Sequence, residues 1–250
     1  MLDLIIKNGS CYIDKDLRYQ DIAIKDGKII KIGKIDNEAK EAFDAKGLTV
    51  LPGCIDTQTH FREPGSTDTE DLHSGSRAAI VGGITSVFEM PNTNPPTSTK
   101  AEFQKKLDLA KNRMYCNYAF YFGATADNAN ELADLVNLEG CCGIKLFAGS
   151  STGNLLVAEE EDIEKVFKNS SKVVAVHSED EEILNINKKL IKEGDVHSHP
   201  IWRSAECAIS STRRIVRIAE RYKKKAHILH VTKNKKLIFY HSTKVTSHLR

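Results

Sequence analysis

The sequence lacks any apolar run that approaches the roughly 20 residues of a membrane-spanning helix. It also lacks the start of a signal peptide, because Asp3 stands where positive charge is typical and no long apolar stretch follows. We therefore expect a cytoplasmic protein that has no membrane as a partner.

An excess of charge of one sign is also absent. The 36 lysines and arginines nearly balance the 34 aspartates and glutamates, for a net charge of +2. Nothing in this balance calls for nucleic acid or an acidic surface as a partner. A small-molecule substrate is the expected partner, and the sequence leaves homo-oligomerisation open.

The six cysteines show no CxxC spacing and no zinc-finger pattern; they are Cys11, Cys54, Cys116, Cys141, Cys142 and Cys207. In a reducing compartment such residues are typically small buried side chains. The sequence gives no support to a thiolate nucleophile.

Residues 1–50 are predicted to form an N-terminal β module, a small antiparallel sheet. Three short alternating runs carry the prediction: Leu4–Gly9, Asp21–Gly27 and Lys28–Gly33. Asn8-Gly9 and Asp26-Gly27 are dipeptides typical of hairpin turns.

Residues 51–250 are predicted to form a partial (β/α) barrel, because buried-type strands now alternate with longer amphipathic segments. The predicted strands are Val50–Asp56, Thr85–Glu89, Tyr115–Gly123, Gly143–Phe147, Lys172–His177 and Ala226–Val231. The predicted helices are Ala101–Arg113, Glu159–Asn169, Glu179–Glu193 and Ala205–Lys223. These make about six of the eight units of a TIM-type (β/α)8 barrel, followed by an atypical lysine-rich tail over 233–250.

Polar residues cluster where the predicted strands end, which is the rim of a parallel barrel that forms active sites. His60 follows the first strand, Lys145 lies in the fourth, and His177 and His230 close the last two. One such histidine is usually structural, but three at different strand ends are harder to explain without a metal. Imidazole suits cations such as Zn²⁺, and a metal lowers the pKa of water enough for attack on an amide.

Several motifs occur in the order and spacing of the amidohydrolase superfamily: Asp56 to Gly65, Met90-Pro91-Asn92-Thr93, Gly143 to Phe147, His177 to Asp180 and Leu229 to Thr232. Within it the chain resembles class I dihydroorotases in particular. The run His60-Phe61-Arg62-Glu63-Pro64-Gly65, the Met-Pro-Asn-Thr motif and Ser150-Ser151-Thr152-Gly153-Asn154 carry that resemblance.

The resemblance implies a TIM-type metal-dependent hydrolase that interconverts carbamoyl aspartate and dihydroorotate in de novo pyrimidine biosynthesis. It implies one or two zinc ions, with His60, Lys145, His177 and His230 as metal ligands and Lys145 carboxylated by CO₂. It also implies that Arg62 and Asn92 hold the substrate carboxylate, a task that suits a guanidinium. The alternative for Arg62 is a surface salt bridge with Glu63.

Two departures from the family pattern bear on activity. Gln58 replaces the first histidine of the usual His-x-His pair, and an amide is a poorer zinc ligand than imidazole. No counterpart of the proton-shuttling aspartate of the last barrel strand occurs, so no catalytic residue is assigned. Asp195-Val196-His197-Ser198-His199-Pro200 is similar to that motif but lies between strands five and six, and we assign its histidines no metal.

The chain is therefore expected to be truncated at its C-terminus. We hypothesise a broken reading frame after about Thr232, where family-like sequence gives way to Lys233-Asn234-Lys235-Lys236. Resequencing the locus and finding no continuation in another frame would contradict this.

Three alternatives remain open. A hydantoinase, dihydropyrimidinase or allantoinase would share the metal centre. A non-catalytic dihydroorotase-like protein would be a structural partner in a pyrimidine-pathway assembly. A non-functional fragment would expose sheet edges and tend to aggregate.

Overall fold

The computed structural model describes residues 1–151 and 153–232. Thr152 and the predicted tail over 233–250 lie outside the described residues. The chain divides into two compact units, Met1–Cys54 and a second unit that begins at Ile55.

The N-terminal unit contains two small sheets built from β1 to β7. These strands are β1 (Leu2–Lys7), β2 (Ser10–Ile13), β3 (Asp16–Tyr19), β4 (Asp21–Lys25), β5 (Lys28–Gly33), β6 (Ala39–Asp44) and β7 (Thr49–Val50). One sheet has the order β5-β4-β1-β6 and the other β3-β2-β7. The prediction of a purely antiparallel sheet is wrong, because β1 pairs with β6, and β2 with β7, in parallel.

The two turn dipeptides behave differently. Asp26 and Gly27 have φ angles of 50° and 70° and join β4 to β5, with Lys25 opposite Lys28. This confirms the predicted hairpin, since a two-residue turn of this kind needs positive φ at both positions. Asn8 also has positive φ, but β1 and β2 on either side of Asn8-Gly9 belong to different sheets, so no hairpin forms there.

The second unit is built on a six-stranded sheet in which each strand lies beside its neighbour in sequence. The strands are β8 (Cys54–Thr59), β9 (Ile84–Glu89), β10 (Asn117–Gly123), β11 (Cys141–Phe147), β12 (Val174–His177) and β13 (Ala226–Ile228). The pairings from β9 through β13 are all parallel.

The predicted strands of this unit are confirmed with shifted ends, except at the first. Val50 was placed in the first barrel strand, but it belongs to β7 in the N-terminal unit, and the barrel strand begins at Cys54. Pro52 and Gly53 separate the two strands, which explains why one apolar run in the sequence serves both sheets.

Helices lie between successive strands of this sheet. Those in the described residues are α1 (Leu72–Val81), α2 (Lys100–Ala110), α3 (Leu132–Leu135), α4 (Glu160–Asn169), α5 (Glu181–Asn187), α6 (His199–Trp202) and α7 (Ala205–Arg221), with 3₁₀ turns at Lys188–Leu190 and Val196–Ser198. The helices α1, α3 and α6 were not predicted from the sequence. The helix predicted over Glu179–Glu193 is shorter, because regular α-helix ends at Asn187.

The missed helix α1 begins at a well-formed cap. The side chain of Asp71 accepts a hydrogen bond of 2.7 Å from the backbone N–H of Ser74, and Ser74 is close to the backbone N–H of Asp71 in return. This reciprocal arrangement satisfies two donors that the first helical turn would otherwise leave unpaired. Gly75 and Gly82 within and after the helix weaken its sequence signal.

The main core lies between one face of the six-stranded sheet and the helices. Ile144 and Leu146 of β11 pack there with Phe103 of α2 and Phe167 of α4, all fully buried. Because side chains alternate across a strand, Lys145 between those two residues faces the opposite side of the sheet. A smaller apolar cluster that includes Tyr121 and Ala175 lies apart from the main core.

All six cysteines are free thiols. The expectation that they are buried is wrong for Cys54, which is exposed at the start of β8, and Cys142 is partly buried. In the described part of the chain, none of the helices has both the length and the apolar character to span a membrane.

Candidate metal centre

The carboxyl ends of the parallel strands bring the predicted metal ligands to one edge of the sheet. His60 follows β8 directly, Lys145 lies two residues before the end of β11, His177 is the last residue of β12, and His230 lies two residues beyond β13. Strand direction alone therefore places four residues that are far apart in sequence on the same rim.

His177 and His230 are in direct contact. Nδ1 of His177 lies 3.0 Å from Nε2 of His230, and the ring centroids are 4.8 Å apart in an edge-on arrangement. His230 reaches this position with a φ of 37°, which is uncommon for a residue other than glycine. This separation is that of a hydrogen bond, so one ring nitrogen donates to the other. The two nitrogens are also close enough to act as ligands of one cation, as imidazoles do for zinc.

Lys145 is a buried lysine with its Nζ 4.3 Å from the centroid of the Phe147 ring. Its side chain is among the largest fully buried ones in the described residues. Burial lowers the pKa of Lys145 well below its ordinary value, and no carboxylate in the described part of the chain offsets this. The uncharged amine is therefore favoured, and only this form can react with CO₂ or approach a cation.

His60 is held as a neutral imidazole. Burial, the positive charge of Arg62, and that of Lys145 whenever its amine is protonated lower the pKa of His60 to about 4, against a hydrogen bond with Asn92 that raises it. These effects show that His60, Arg62, Asn92 and Lys145 lie in one neighbourhood. A neutral ring keeps a lone pair free for a metal or a hydrogen bond.

The two predicted substrate-binding residues flank His60. Asn92 is buried, and Arg62 is half-buried with a φ of 63°. The alternative of a salt bridge between Arg62 and Glu63 is wrong, because Glu63 pairs with Arg113 at 2.8 Å and accepts the backbone N–H of Leu72. Gln58 lies within β8, half-buried, and its backbone N–H donates to Asp56.

His177 is also held by two residues that were not predicted as site residues, Glu179 and Arg203. Glu179 Oε2 lies 2.7 Å from Nε2 of His177 and pairs with Arg203. Burial raises the pKa of Glu179, but the hydrogen bond from His177 and the charge of Arg203 outweigh this, so it is lowered overall. An acid two residues after a strand-end histidine was the signal available in the sequence.

The same contacts act on His177. Burial lowers its pKa, and the interaction with Glu179 opposes that shift.

Of the two histidines that we assigned no metal, His197 is exposed in a 3₁₀ turn, and His199 packs edge-on against Trp202.

A cleft of about 560 Å³ opens at this site and includes Ser151, His177, Glu179, Arg203 and His230 in its lining. Its volume suits a small molecule. Within 1–151 and 153–232, no three side chains drawn from His, Cys, Asp and Glu form a metal-binding group. Among these residues, His177 and His230 alone therefore do not complete such a group.

A sequence model of the amidohydrolase family matches residues 49–249. The chain belongs to the amidohydrolase family. The match continues beyond Thr232, the predicted end of the family resemblance.

Curated relatives agree with this assignment. A dihydroorotase of Methanosarcina mazei is 36% identical over 239 residues, covering 93% of this chain and 52% of the relative. An allantoinase of Escherichia coli is 34% identical over 242 residues, covering 92% of this chain and 53% of the relative. The chain thus spans about half the length of the curated relatives it matches.

Solved structures agree as well. An L-hydantoinase (dihydropyrimidinase) from Arthrobacter aurescens superposes with a TM-score of 0.89 at 26% identity, covering 96% of this chain and 55% of the other. A D-hydantoinase superposes with a TM-score of 0.82 at 28% identity, covering 95% and 54%. This confirms the predicted fold class, a TIM-type amidohydrolase barrel of which six strands lie in the described residues, in a chain that also has a small N-terminal β module.

Proposed function

We propose that this chain is a dihydroorotase-like cyclic amidohydrolase, which interconverts carbamoyl aspartate and dihydroorotate in pyrimidine biosynthesis with a cation held by Lys145, His177 and His230. The observation that carries the proposal is the 3.0 Å approach of the two imidazole nitrogens at the rim that also holds the buried Lys145. Imidazole pairs of this kind suit zinc.

The state of Lys145 decides whether it can join the two histidines. Because burial lowers the pKa of its amine, the neutral form can attack CO₂, forming an N–C bond and releasing one proton. The resulting carbamate replaces the amine with two oxygens that share one negative charge. When bound there, the cation lowers the pKa of water and polarises an amide carbonyl.

The positions of Arg62 and Asn92 favour a substrate that carries a carboxylate. Asn92 hydrogen-bonds with His60, and the charge of Arg62 acts on the same ring. A guanidinium and an amide at this place can orient a carboxylate beside the metal centre. Dihydroorotate has such a group next to its cyclic amide, which is why we favour it as the substrate.

Gln58 limits the number of metals. A first metal site would use His60 together with position 58, and an amide oxygen is a weak zinc ligand. We expect at most about one tightly held zinc ion for each chain, and two equivalents would contradict this assignment.

Metal analysis of the full chain tests the centre. Replacing His177 or His230 with alanine should remove the zinc, whereas His197→Ala, which changes an exposed histidine on a 3₁₀ turn, should retain it. Zinc bound equally by all four proteins would show that the centre lies elsewhere.

A second candidate is an allantoinase- or hydantoinase-type activity. The allantoinase of Escherichia coli is nearly as similar as the dihydroorotase, at 34% against 36% identity. Turnover of dihydroorotate, allantoin and hydantoin by the same preparation separates the two. Arg62→Gln should raise KM for dihydroorotate and leave KM for hydantoin, which has no carboxylate, nearly unchanged. Binding of dihydroorotate without turnover would instead indicate a non-catalytic partner protein.

A further inference from the structure

His177 is contacted at both of its ring nitrogens. Nδ1 faces Nε2 of His230 at 3.0 Å, while Nε2 faces Oε2 of Glu179 at 2.7 Å. A carboxylate only accepts hydrogen bonds, so the proton of a neutral His177 ring lies on Nε2. The lone pair of the ring is then on Nδ1 and points toward His230.

Glu179 is itself held in place. Its Oε2 pairs with Nη1 of Arg203, and Nη2 of the same guanidinium donates to the carbonyl oxygen of Ser150 at 2.8 Å. The guanidinium also lies 4.4 Å from the ring centroid of Trp202. Contacts on three sides leave Arg203 little freedom, so the position of the carboxylate is well defined.

The network also includes the segment after β11. Ser150 accepts from Arg203, and its backbone N–H and hydroxyl donate to Glu181 at 2.6 Å and 2.7 Å. Glu181 begins α5, directly after the segment that carries Glu179. The segments that follow the strands of Lys145 and His177 are thereby tied together through Arg203 and Glu181.

We propose that Glu179 is the positioning residue of His177: it fixes the Nε2-protonated form and the orientation of the ring, so that Nδ1 is directed at the cation site, and Arg203 holds Glu179 in place. The inference rests on the proposed function for the identity of the cation site. The hydrogen bond between carboxylate and ring is a feature of the folded chain whether or not a metal binds.

The first test asks whether Glu179 strengthens zinc binding. It measures the zinc affinity of the full chain by competition with a chelating dye. Glu179→Ala should lower the affinity by about 10- to 100-fold, the usual cost of removing a partner of a ligating histidine. Glu179→Gln keeps the size of the side chain and an accepting oxygen, so we expect a smaller loss. Glu182→Gln is the matched control, because Glu182 is an exposed acid in the first turn of α5, and it should bind zinc as the parent does.

The ring form of His177 is a readout that a merely structural role would not change. Two-bond ¹H–¹⁵N correlation spectra of the metal-free chain should show the Nε2-protonated ring in the parent and in Glu182→Gln. In Glu179→Ala the spectrum should shift toward a mixture of both forms. Circular dichroism and the urea midpoint identify a variant that fails to fold, and Glu179→Gln then carries the test.

The outcomes separate the two proposals. Unchanged zinc affinity in folded Glu179→Ala, or an unchanged His177 spectrum, overturns the positioning role. If the parent chain binds no zinc, or if His177→Ala binds it equally well, the proposed metal centre is wrong. The spectra still decide whether Glu179 determines which ring nitrogen of His177 carries the proton.

Discussion

Glu89 and Lys106 form an ion pair in the interior, with side chains that are 1% and 0% exposed. Glu89 ends β9 and also accepts a hydrogen bond from the backbone N–H of Phe61, while Lys106 on α2 donates to the carbonyl oxygen of Met90 at 2.9 Å. Burial raises the pKa of Glu89 to about 7, against the opposing effect of Lys106. The pair therefore ties the segment next to His60 to a helix of the outer layer.

Lys106→Met should destabilise the protein by about 3–5 kcal/mol at pH 8, because it leaves the Glu89 carboxyl buried without a cation. The loss should be smaller at pH 5. Without Lys106 the pKa of Glu89 in the folded state stays above its ordinary value of 4.5. Above pH 4.5 the folded state therefore binds more protons than the unfolded state. Because of this difference, the stability of the variant falls as pH rises.

Urea unfolding at the two pH values measures this loss. Lys105→Met is the matched control, since Lys105 is the neighbouring residue on α2 and is 67% exposed. Its change should stay within about 0.5 kcal/mol. Equal losses in the two variants, or a loss that does not depend on pH, would contradict the role of the buried pair.

Gly75→Ala should displace Phe61, because a Cβ at position 75 would lie 2.4 Å from Cδ1 of the Phe61 ring. We expect a loss of about 1–3 kcal/mol from overpacking of the space that the Phe61 ring fills. Gly82→Ala is the control, because Gly82 directly follows the last residue of the same helix. Its Cβ would find its nearest atoms at 3.5 Å, so thermal unfolding should scarcely change.

His60 should remain neutral in the metal-free chain well below the pH at which histidines usually take up a proton. Its pKa is lowered to about 4 from 6.5, first by burial and then by the charge of Arg62. Because the unfolded chain takes up this proton more readily, His60 should reduce stability as pH falls from about 6.5 to about 4. A ¹H–¹⁵N titration, assigned with His60→Gln, that finds a midpoint near 6.5 would refute the prediction.

Lys145 should form a carbamate when the chain is supplied with ¹³C-bicarbonate. Its lowered pKa provides the neutral amine that adds CO₂, and burial protects the product from water. The ¹³C carbamate signal should be absent from Lys145→Met. Lys168→Met, which removes an exposed lysine in the last turn of α4, should retain it. A signal of equal strength in both variants would assign the carbamate to surface lysines.

Much of the barrel unit could be predicted from local pattern. Strand β11 is one example: alternation around Lys145 puts Ile144 and Leu146 on the helix-facing side, so the lysine had to face the other way. The Asp26-Gly27 hairpin is another, because only a few dipeptides tolerate positive φ twice in succession. In both places the decisive interactions are between residues close in sequence.

The N-terminal unit shows where local pattern fails. The parallel pairing of β1 with β6 joins residues more than 30 positions apart, with Leu4 opposite Glu41. Alternation within a strand identifies its faces but not its neighbour or the direction of that neighbour. For the same reason, one apolar run was assigned to a single strand although it contributes to two sheets.

By itself, the sequence determined the chemistry available to this protein: which strands end in imidazoles, which carries a lysine, and where an arginine and an asparagine follow. Tertiary structure decided which ring nitrogens face each other and that the lysine amine is buried. It also decided that Glu179 and Arg203 reach His177 from one side while His230 reaches it from the other. Those relations depend on distances between separate strands and loops, which packing sets and no local run of residues encodes.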